Sequence, residues 1–338
     1  MVLMACFHPL RARITYDDFL GKKVVHILKS LDPDWNSPDV TPIPCGKCIG
    51  CKLDKSREWA NRCLLELEYH SSAYFVTLTY NERYVPVSTY PGTDGVEFQS
   101  YSLCRRDVQL FLKRLRKAKE PAVIRFFGAG EYGETTMRPH YHLILFGLEL
   151  DDLIPYEKSE RGDWYYKSAF LERIWSKRMV NNRLGDVSGA YEPLGEVIVA
   201  EVSWETCAYT ARYCTKSLNG FDKSVYTKFG MEPPSLYMSR NPGIGNQYFK
   251  DHPELYDYQY ISVSTSTGGK KFPIPKYFDR LQQEAEEGSL DALKERRQAF
   301  ARASSQLKAS STTLDEFEYG DIEEQIKKRS VKALTRKV

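Results

Sequence analysis

The segment GEYGETTMRPHYHLILFG, residues 130–147, combines an acidic residue, a polar turn and a short apolar run that ends at a glycine. Its two histidines, His140 and His142, are among only six in the chain, and they directly precede the apolar residues 143–146. The run predicts a buried strand, and side chains at i and i+2 of a strand project from the same face. Both imidazoles would then share one face of a rigid sheet. The alternative is a pair of solvated strand histidines, but the acidic neighbour Glu131 and the motifs below favour a divalent-metal site.

Outward from this segment, the spacing of apolar residues predicts further strands and helices. β-branched and aromatic runs indicate strands, and apolar residues at i, i+3, i+4 and i+7 indicate helices. The predicted elements are helices at 55–70, 103–119 and 204–217 and strands at 73–80, 122–129, 139–147 and 195–203. From residue 73 onward, their order is that of a ferredoxin-like split βαβ sheet with additions. We therefore expect an α+β fold, with a ferredoxin/RRM-like antiparallel sheet and helical and irregular additions.

Composition divides the chain into four predicted segments. Residues 1–72 form a Cys-rich N-terminal segment plus a helix, and residues 73–220 form the nuclease-like core around the sheet. Residues 221–280 are rich in Pro, Tyr and Gly, which predicts an irregular extension packed on the core. Residues 281–338 are charged and contain several serines, which predicts a tail that is helical in pieces and partly disordered.

Overall composition is that of a globular protein, with 42% hydrophobic and 28% charged residues among 338. Charged residues interrupt the first twenty positions, so no secretory signal is expected there, and no apolar stretch reaches the ~20 residues of a bilayer-spanning helix. The eight cysteines suggest no disulfide framework in a chain of this length, which favours a reducing cytoplasm. Basic residues concentrate at 105–117 and in the last twelve positions, where they form either solvated faces or a nucleic-acid footprint.

The helix at 204–217 has two opposed faces. Small apolar residues form one stripe: Cys207, Ala211, Cys214 and Leu218. Tyr209, Tyr213 and Lys216 recur at i, i+4 and i+7, and Tyr209 lies about 200° around the helix from Cys207. If the apolar stripe packs on the protein, the other stripe faces solvent or a cleft. Two phenols and an ammonium there could serve phosphodiester chemistry, although an isolated pair of tyrosines at this spacing more often has a packing role.

A cysteine cluster precedes the first predicted helix. Cys45, Cys48 and Cys51 form a C-x2-C-x2-C motif, typical of a structural zinc site whose fourth ligand could be Cys6, His8 or Cys63. Iron–sulfur ligation is a weaker alternative, because the C-x3-C-P continuation of the ferredoxin motif is absent. A third alternative is three reduced cysteines around a glycine-rich turn.

The strand at 73–80 carries two hydroxyl groups on one face, from Thr77 and Thr79. They alternate with Val76 and Leu78, which would face the core. Such hydroxyls could contact DNA, but threonine is also an ordinary strand residue, and that interpretation is favoured.

Three segments together resemble the motifs of HUH-type replication initiators: FVTLTY at 75–80, GEYG…RPHYHLILFG within 130–147, and YTARYCTK at 209–216. With PCGKCIGC at 44–51 and SRNPGIG at 239–245, the chain resembles the rolling-circle replication initiation proteins of small single-stranded DNA phages, in the gokushovirus branch of the Microviridae. The resemblance covers roughly residues 1–280. One departure concerns the middle of the histidine motif, where the bulky Tyr141 stands in place of a smaller hydrophobe.

This resemblance implies a site-specific DNA endonuclease and ligase. His140 and His142 would bind Mg²⁺ or Mn²⁺, with Glu131 as the acidic third ligand and Glu134 as its runner-up. Two further roles fall on the helix at 204–217. Tyr209 or Tyr213 would attack the scissile phosphate and form a 5′-phosphotyrosine, while Lys216 would assist the phenolate or steady the transition state.

The implied partners are single-stranded DNA at the replication origin and the helicase and polymerase of a bacterial host, in whose cytoplasm the protein would act. No membrane partner is expected. A G-x4-G-K-[ST] loop is missing from the sequence, so unwinding is assigned to the host. Two alternatives remain open: a relaxase- or transposase-like nuclease with the same chemistry, and a non-catalytic RRM-like protein that binds single-stranded nucleic acid.

Overall fold

The computed structural model describes these residues: 6–19, 21–29, 32–35, 37–133, 135–159, 162–178, 191–202, 206–207, 210–211, 223–258, 260–265 and 268–334. The chain packs as two compact units. One comprises Ser56–Phe278, and the other comprises Met1–Lys55 together with Asp279–Val338. The predicted division into four segments stays a prediction.

Strands and helices alternate along most of the described chain. The strands are β1 (Leu10–Asp17), β2 (Lys22–Ile27), β3 (Val40–Ile43), β4 (Ala73–Leu78), β5 (Val87–Pro91), β6 (Glu97–Tyr101), β7 (Arg125–Tyr132), β8 (Pro139–Phe146), β9 (Ile154–Lys158), β10 (Trp164–Lys167), β11 (Ser176–Arg178), β12 (Tyr191–Pro193), β13 (Val197–Glu201), β14 (Ser235–Met238), β15 (Tyr260–Thr265) and β16 (Gly268–Pro273). The helices are α1 (Ile49–Leu67), α2 (Arg105–Ala118), α3 (Ala169–Ile174), α4 (Lys223–Lys228), α5 (Asn246–Asp251), α6 (Lys276–Ala285), α7 (Asp291–Ser310) and α8 (Glu316–Leu334), with a 3-10 helix at Pro253–Tyr256. Helical backbone also occurs at 206–207 and 210–211. Among the described residues, no helix combines the length and apolar character that crossing a membrane requires.

The larger unit is built around a seven-stranded sheet with the order β14-β7-β8-β4-β13-β10-β9. All of its strand pairs are antiparallel. Its central strands lie in the order β7-β8-β4-β13, and α2 lies between β4 and β7 in the chain. That is the strand order of a ferredoxin-like split βαβ sheet. The predicted α+β fold with a large antiparallel sheet is confirmed, and β9, β10 and β14 are additions at its edges.

One face of this sheet is covered by α2. The buried residues of α2 are Val108, Phe111, Leu112 and Leu115, which form a stripe at helical spacing. They belong to one hydrophobic cluster with Tyr141, Leu143 and Leu145 of β8. Each such side chain contributes about 1.5–3 kcal/mol when it is fully buried rather than exposed, so this stripe is sufficient to hold α2 on the sheet.

The opposite face of the sheet is covered by a second cluster. Its buried members are Ala60, Cys63, Phe75, Phe127, Ile144, Phe146, Ala200, Cys207, Ala211 and Ile244. Since side chains alternate along β8, His140 and His142 project from the same face as Ile144 and Phe146. The predicted metal ligands therefore lie on the face opposite α2.

The smaller unit joins the beginning of the chain to its last helices. Its three-stranded sheet has the order β2-β1-β3. Arg11 of β1 forms an ion pair with Glu316 of α8 at 2.7 Å, and His8 contacts Glu324 of α8 at 2.8 Å. Glu324 also accepts a hydrogen bond from the backbone N–H of Ile49 at 2.9 Å, which satisfies a donor in the first turn of α1. The helices α7 and α8 thus occupy most of the charged C-terminal segment.

Candidate metal centre

The three predicted metal ligands lie together on the β7–β8 hairpin. The strand register pairs Glu131 with His140 and Ala129 with His142. Nε2 of His140 lies 2.8 Å from Oε1 of Glu131, and Nε2 of His142 lies 3.5 Å from the same oxygen. One ligand atom from each of the three residues lies within 4.8 Å of the others. The role of these residues as metal ligands stays a prediction, and the geometry is that of a possible metal site.

This cluster is largely shielded from solvent. Glu131 is 8% exposed and His142 is 7% exposed, while the side chain of His140 retains 20% of its exposure. The two imidazoles lie almost perpendicular, with centroids 5.0 Å apart, and Phe75 stacks on His142 with centroids 5.5 Å apart. A cation or phosphate would approach from the side of His140. Its electrostatic interactions would be stronger there than in bulk water.

Hydrogen bonds orient both imidazoles toward Glu131. The carbonyl oxygen of Arg138 lies 3.1 Å from Nδ1 of His140, and a carbonyl can only accept, so this Nδ1 carries a proton. A neutral His140 would then point the lone pair of Nε2 at a carboxylate oxygen 2.8 Å away. Two acceptors at this distance require a positive charge between them, either a second ring proton or a bound cation. The donor set therefore fits a divalent cation.

His142 is oriented in the same way from the neighbouring strand. Oγ1 of Thr77 lies 3.0 Å from Nδ1 of His142, and the strand register places the two residues opposite each other. When Thr77 accepts from Nδ1, Nε2 is left as the coordinating atom. Thr77, interpreted from sequence as an ordinary strand residue, is therefore a positioning residue for the candidate ligand.

Glu131 is ionised in this setting. Burial raises the pKa of Glu131, but hydrogen bonds and charge interactions with His142 and His140 outweigh burial and hold that pKa below its usual value. A carboxylate must be deprotonated to bind a metal ion. The hairpin therefore presents a negative oxygen next to two imidazole nitrogens at neutral pH.

The turn between β7 and β8 is held at both ends. The N–H of Gly133 donates to the carbonyl oxygen of Arg138 at 3.0 Å. The guanidinium of Arg138 forms an ion pair with Glu82 and donates to the carbonyl oxygen of Tyr80 at 2.7 Å. These contacts fix the carbonyl that orients His140. Glu134, the runner-up ligand, lies outside the described residues.

Tyr141, the unusual middle residue of the histidine motif, points to the opposite face. Its ring is fully buried in the cluster beneath α2. Its hydroxyl accepts a hydrogen bond from the N–H of Cys104 at 2.7 Å and donates to the carbonyl oxygen of Cys104 at 3.0 Å. Burial also raises the pKa of Tyr141, so its hydroxyl stays protonated. The bulky residue is thus accommodated because it fills the core and anchors the start of α2.

Tyr209, Tyr213 and Lys216 lie outside the described residues, and their predicted roles stay predictions. Two members of the opposite stripe are described: Cys207 and Ala211 are both fully buried. They belong to the cluster that contains Phe75, the ring stacked on His142. The described part of this helix therefore packs on the sheet face that carries the imidazoles.

An aromatic cavity adjoins the β7–β8 turn through Met137. Its volume is about 510 Å³, and its lining includes Tyr90, Gln99, Tyr101, Met137, Tyr226 and Phe229. The guanidinium of Arg138 lies 5.5 Å from the centre of the Tyr101 ring, so one residue contacts both the cavity wall and the turn that orients His140. Aromatic walls with a polar edge suit the stacking of a nucleic-acid base.

The basic residues of α2 do not line the candidate metal site, because α2 covers the other face of the sheet. Two of them are engaged with the protein itself. Arg114 donates to the carbonyl oxygen of Ser176, and Arg116 donates to that of Ile124 at 3.2 Å. A phosphate groove along α2 would therefore be separate from the histidine site.

The three cysteines of the C-x2-C-x2-C motif lie together with Cys6. Their Sγ atoms all lie within 4.8 Å of one another. Among the predicted alternatives for the fourth member, His8 contacts Glu324 instead, and Cys63 is buried in the core of the larger unit. The metal identity in this cluster is not given by its geometry alone.

Comparison with known proteins identifies relatives for most of the chain. A family model for replication-associated proteins of the ORF2 type matches residues 73–218, which include the histidine hairpin and the predicted tyrosine helix. Replication-associated protein ORF2 of Spiroplasma virus 4 is 32% identical over 313 residues, covering 88% of this chain and 87% of the relative. Replication-associated protein VP4 of Bdellovibrio phage phiMH2K is 24% identical over 282 residues, covering 81% and 76%.

A shorter match extends the same group. Replication-associated protein ORF4 of Chlamydia phage 1 is 27% identical over 182 residues, covering 52% of this chain and 38% of the relative. No solved structure matches the chain. Because the similarity to the Spiroplasma virus 4 protein spans most of both sequences, the chain belongs to the family of replication-associated proteins of small single-stranded DNA phages of the Microviridae.

Proposed function

We propose that this replication-associated protein initiates rolling-circle replication by nicking single-stranded DNA at the origin and later rejoining it. The observation that carries the proposal is the cluster of Glu131, His140 and His142, whose ligand atoms lie within 4.8 Å of one another on a rigid antiparallel hairpin. A sheet holds such groups more accurately than a loop does, which is what a catalytic cation site requires.

Glu131, His140 and His142 would hold Mg²⁺ or Mn²⁺ and leave coordination positions for substrate. A carboxylate favours hard ions, and imidazoles shift the preference toward Mn²⁺. When bound, the cation supplies charge stabilisation at the oxygens of the scissile phosphate. The contacts of Thr77 and Arg138 would keep both rings turned toward the cation.

The chemical step is assigned to the helix at 204–217. The phenolate oxygen of Tyr209 or Tyr213 would bond to phosphorus while the bond to the 3′ oxygen breaks. The phenol proton passes to solvent, and the departing oxygen takes up a proton to give a free 3′-hydroxyl. An unperturbed tyrosine has a pKa near ~10, so the ammonium of Lys216 would favour the phenolate or steady the charge that develops.

The product is a 5′-phosphotyrosine, which conserves the phosphodiester for rejoining. A second tyrosine one helical turn away lies ~5–6 Å from the first at Cβ, close enough to serve the same phosphate site. One tyrosine can hold the first DNA end while the other cuts the regenerated origin. Strands would then be closed into circles, and the protein would act as endonuclease and ligase.

Burial of Cys207 and Ala211 supports this assignment. Both are packed in the cluster that contains Phe75, and Phe75 stacks on His142. The helix that carries the two tyrosines thus has its described residues on the correct face of the sheet. The proposed partners are origin single-stranded DNA and the helicase and polymerase of the bacterial host, in whose cytoplasm replication would proceed.

The direct test is formation of a covalent protein–DNA adduct with circular single-stranded viral DNA and Mn²⁺. Wild type should give an adduct that survives denaturing electrophoresis, and Tyr209→Phe combined with Tyr213→Phe should abolish it, while each single variant retains some cleavage. Tyr156→Phe is a suitable control, because Tyr156 is 55% exposed on the outer strand β9. Full cleavage by the double variant would refute the assignment of the nucleophile.

A second variant tests the cation site and the rival interpretation. His140→Ala should lose Mn²⁺-dependent nicking and retain DNA binding. If wild type binds single-stranded DNA but never forms an adduct, the non-catalytic RRM-like binder is favoured instead. Unchanged nicking by His140→Ala would count against the metal site itself.

A further inference from the structure

Four cysteines from two separate stretches of chain converge in the smaller unit. The Sγ atoms of Cys45 and Cys51 lie 4.0 Å apart, and those of Cys48 and Cys6 lie 3.9 Å apart. Cys48 is buried, and the other three are intermediate in exposure. Cys6 approaches from the N-terminal stretch, 39 residues before Cys45.

Backbone N–H groups surround these sulfurs. Cys45 Sγ accepts from the N–H groups of Lys47 and Cys48 at 3.4 and 3.3 Å. The other described acceptors are the Cys6 and Cys48 sulfurs: Cys6 Sγ accepts from the N–H of Cys45 at 3.2 Å, and Cys48 Sγ accepts from the N–H groups of Phe7 and Cys51 at 3.4 and 3.5 Å. Such donors stabilise thiolate charge more than neutral thiol, because a hydrogen bond to an ionised acceptor is the stronger one.

The backbone is shaped for this convergence. Gly46 has φ +73°, a left-handed conformation that lets the chain turn between Cys45 and Cys48. α1 begins at Ile49, so Cys51 lies in its first turn and Cys48 directly precedes it. The partial positive charge at a helix N-terminus also favours thiolates.

The sulfur separations distinguish the possible occupants. A disulfide needs an S–S distance of about 2.05 Å, far shorter than either pair here. Tetrahedral zinc with Zn–S bonds of about 2.3 Å puts its sulfurs about 3.8 Å apart, close to the 4.0 and 3.9 Å observed. An iron–sulfur cluster inserts several iron and sulfide atoms between its cysteines and needs wider spacing.

We propose that Cys6, Cys45, Cys48 and Cys51 bind one structural Zn²⁺ ion in a closed four-thiolate site. All four coordination positions are taken by protein, so the ion would have no place for substrate. It would join residue 6 to the first turn of α1 and so fix the N-terminal stretch. This site is separate from the proposed nuclease centre in residues, ligand type and role.

The test is metal analysis of the full chain, expressed with both zinc and iron supplied. Imidazoles also bind zinc, so the measurement uses a His140→Ala background, in which metal content reports the cysteine site. One zinc per chain is expected in this background and with Cys104→Ser added, since Cys104 lies outside the cluster. Added Cys6→Ser or Cys45→Ser should lower zinc to a small fraction of one.

A measurement on the unsubstituted cysteines covers the case in which those variants fail to fold. Exchange of zinc for Co²⁺ should give the intense visible bands of tetrahedral cobalt together with sulfur-to-cobalt charge-transfer bands. Weak octahedral bands, stoichiometric iron in place of zinc, the absence of a stoichiometric metal, or full zinc content in Cys6→Ser would each overturn the proposal.

Discussion

Replacement of Thr77 by valine removes a hydroxyl and almost nothing else, so it isolates the orientation of His142. In the native protein, Oγ1 of Thr77 lies 3.0 Å from Nδ1 of His142, whose residue is only 7% exposed. Valine has the same shape but cannot accept a hydrogen bond. We expect Thr77→Val to weaken cation binding because the imidazole loses the contact that turns Nε2 toward Glu131.

The size of the effect follows from burial. Loss of an acceptor opposite a buried N–H costs about 1–3 kcal/mol. At about 1.4 kcal/mol per tenfold, that is a factor of about 5–150 in affinity, which brackets the roughly 10–100-fold effects of removing such partners at metal sites. The expected result is a Kd for Mn²⁺ raised by about 10–100-fold in calorimetric titration. Nicking should recover substantially at saturating Mn²⁺.

Two controls separate orientation from general damage to the strand. Thr77→Ser keeps the hydroxyl and should restore most of the affinity. Thr79→Val removes the next hydroxyl on the same face, which contacts the backbone of Glu196 rather than an imidazole, and should leave the Kd unchanged. Equal affinities for Thr77→Val and wild type, or equal losses in Thr77→Val and Thr79→Val, would refute the reasoning.

Other predictions address the cavity, the core and the charge of the site. Phe229→Ala should weaken binding of single-stranded oligonucleotides by about 1–3 kcal/mol if a base stacks in the cavity, with Mn²⁺ affinity unchanged; unaltered DNA binding would contradict this. Glu66→Ala should lower the free energy of unfolding in urea by about 3–5 kcal/mol, because it leaves the largely buried Arg125 without its ion-pair partner; a loss below about 1 kcal/mol would contradict this. The pKa of Glu131 is held below its usual value, so chelated wild type should retain this stabilisation above about pH 4.3 and lose it as pH falls through the lowered pKa. Glu131→Gln should flatten that acid limb of the stability curve, and an identical limb in the variant would refute the assignment.

The central sheet could be predicted from sequence because its signals are local. The apolar stripe of α2 and the alternation around His140 and His142 each arise within one element, and the structure has both. Element ends were less accurate: the second strand was expected at 122–129 and lies at Arg125–Tyr132. Hydrophobic periodicity marks the middle of an element better than its limits.

The edge strand β14 was not predicted. It has four residues, Ser235–Met238, between a proline pair and the SRNPGIG segment, so no periodic pattern could develop. It forms only because β7 offers an edge to pair with, at a sequence separation of more than one hundred residues. A pairing of that kind is a tertiary effect, and sequence patterns do not contain it.

Two residues of the sites were accessible only through contacts that are distant in sequence. The importance of Thr77 arises from the register of β4 with β8, which sets its hydroxyl opposite His142 65 positions later. The one available signal was a polar residue on the same predicted face as the histidines. Cys6 was one of three alternatives for the fourth member of the cysteine cluster, and only folding of the N-terminal stretch distinguishes it from His8 and Cys63.

The alternation of side chains on β8 also limits how the tyrosine helix can reach the site. Cys207 and Ala211 are fully buried in the cluster that contains Phe75, and that cluster reaches the metal site where Phe75 stacks on His142. Tyr209 lies about 200° around an ideal helix from Cys207, so it points away from the packed stripe rather than down onto the sheet. For its phenol to meet a phosphate beside His142, the helix must therefore run along the margin of this face, with its small residues against the cluster and its tyrosines toward the more open side. Small residues in the packed stripe are what such a position requires, because larger ones would hold the helix farther from the sheet.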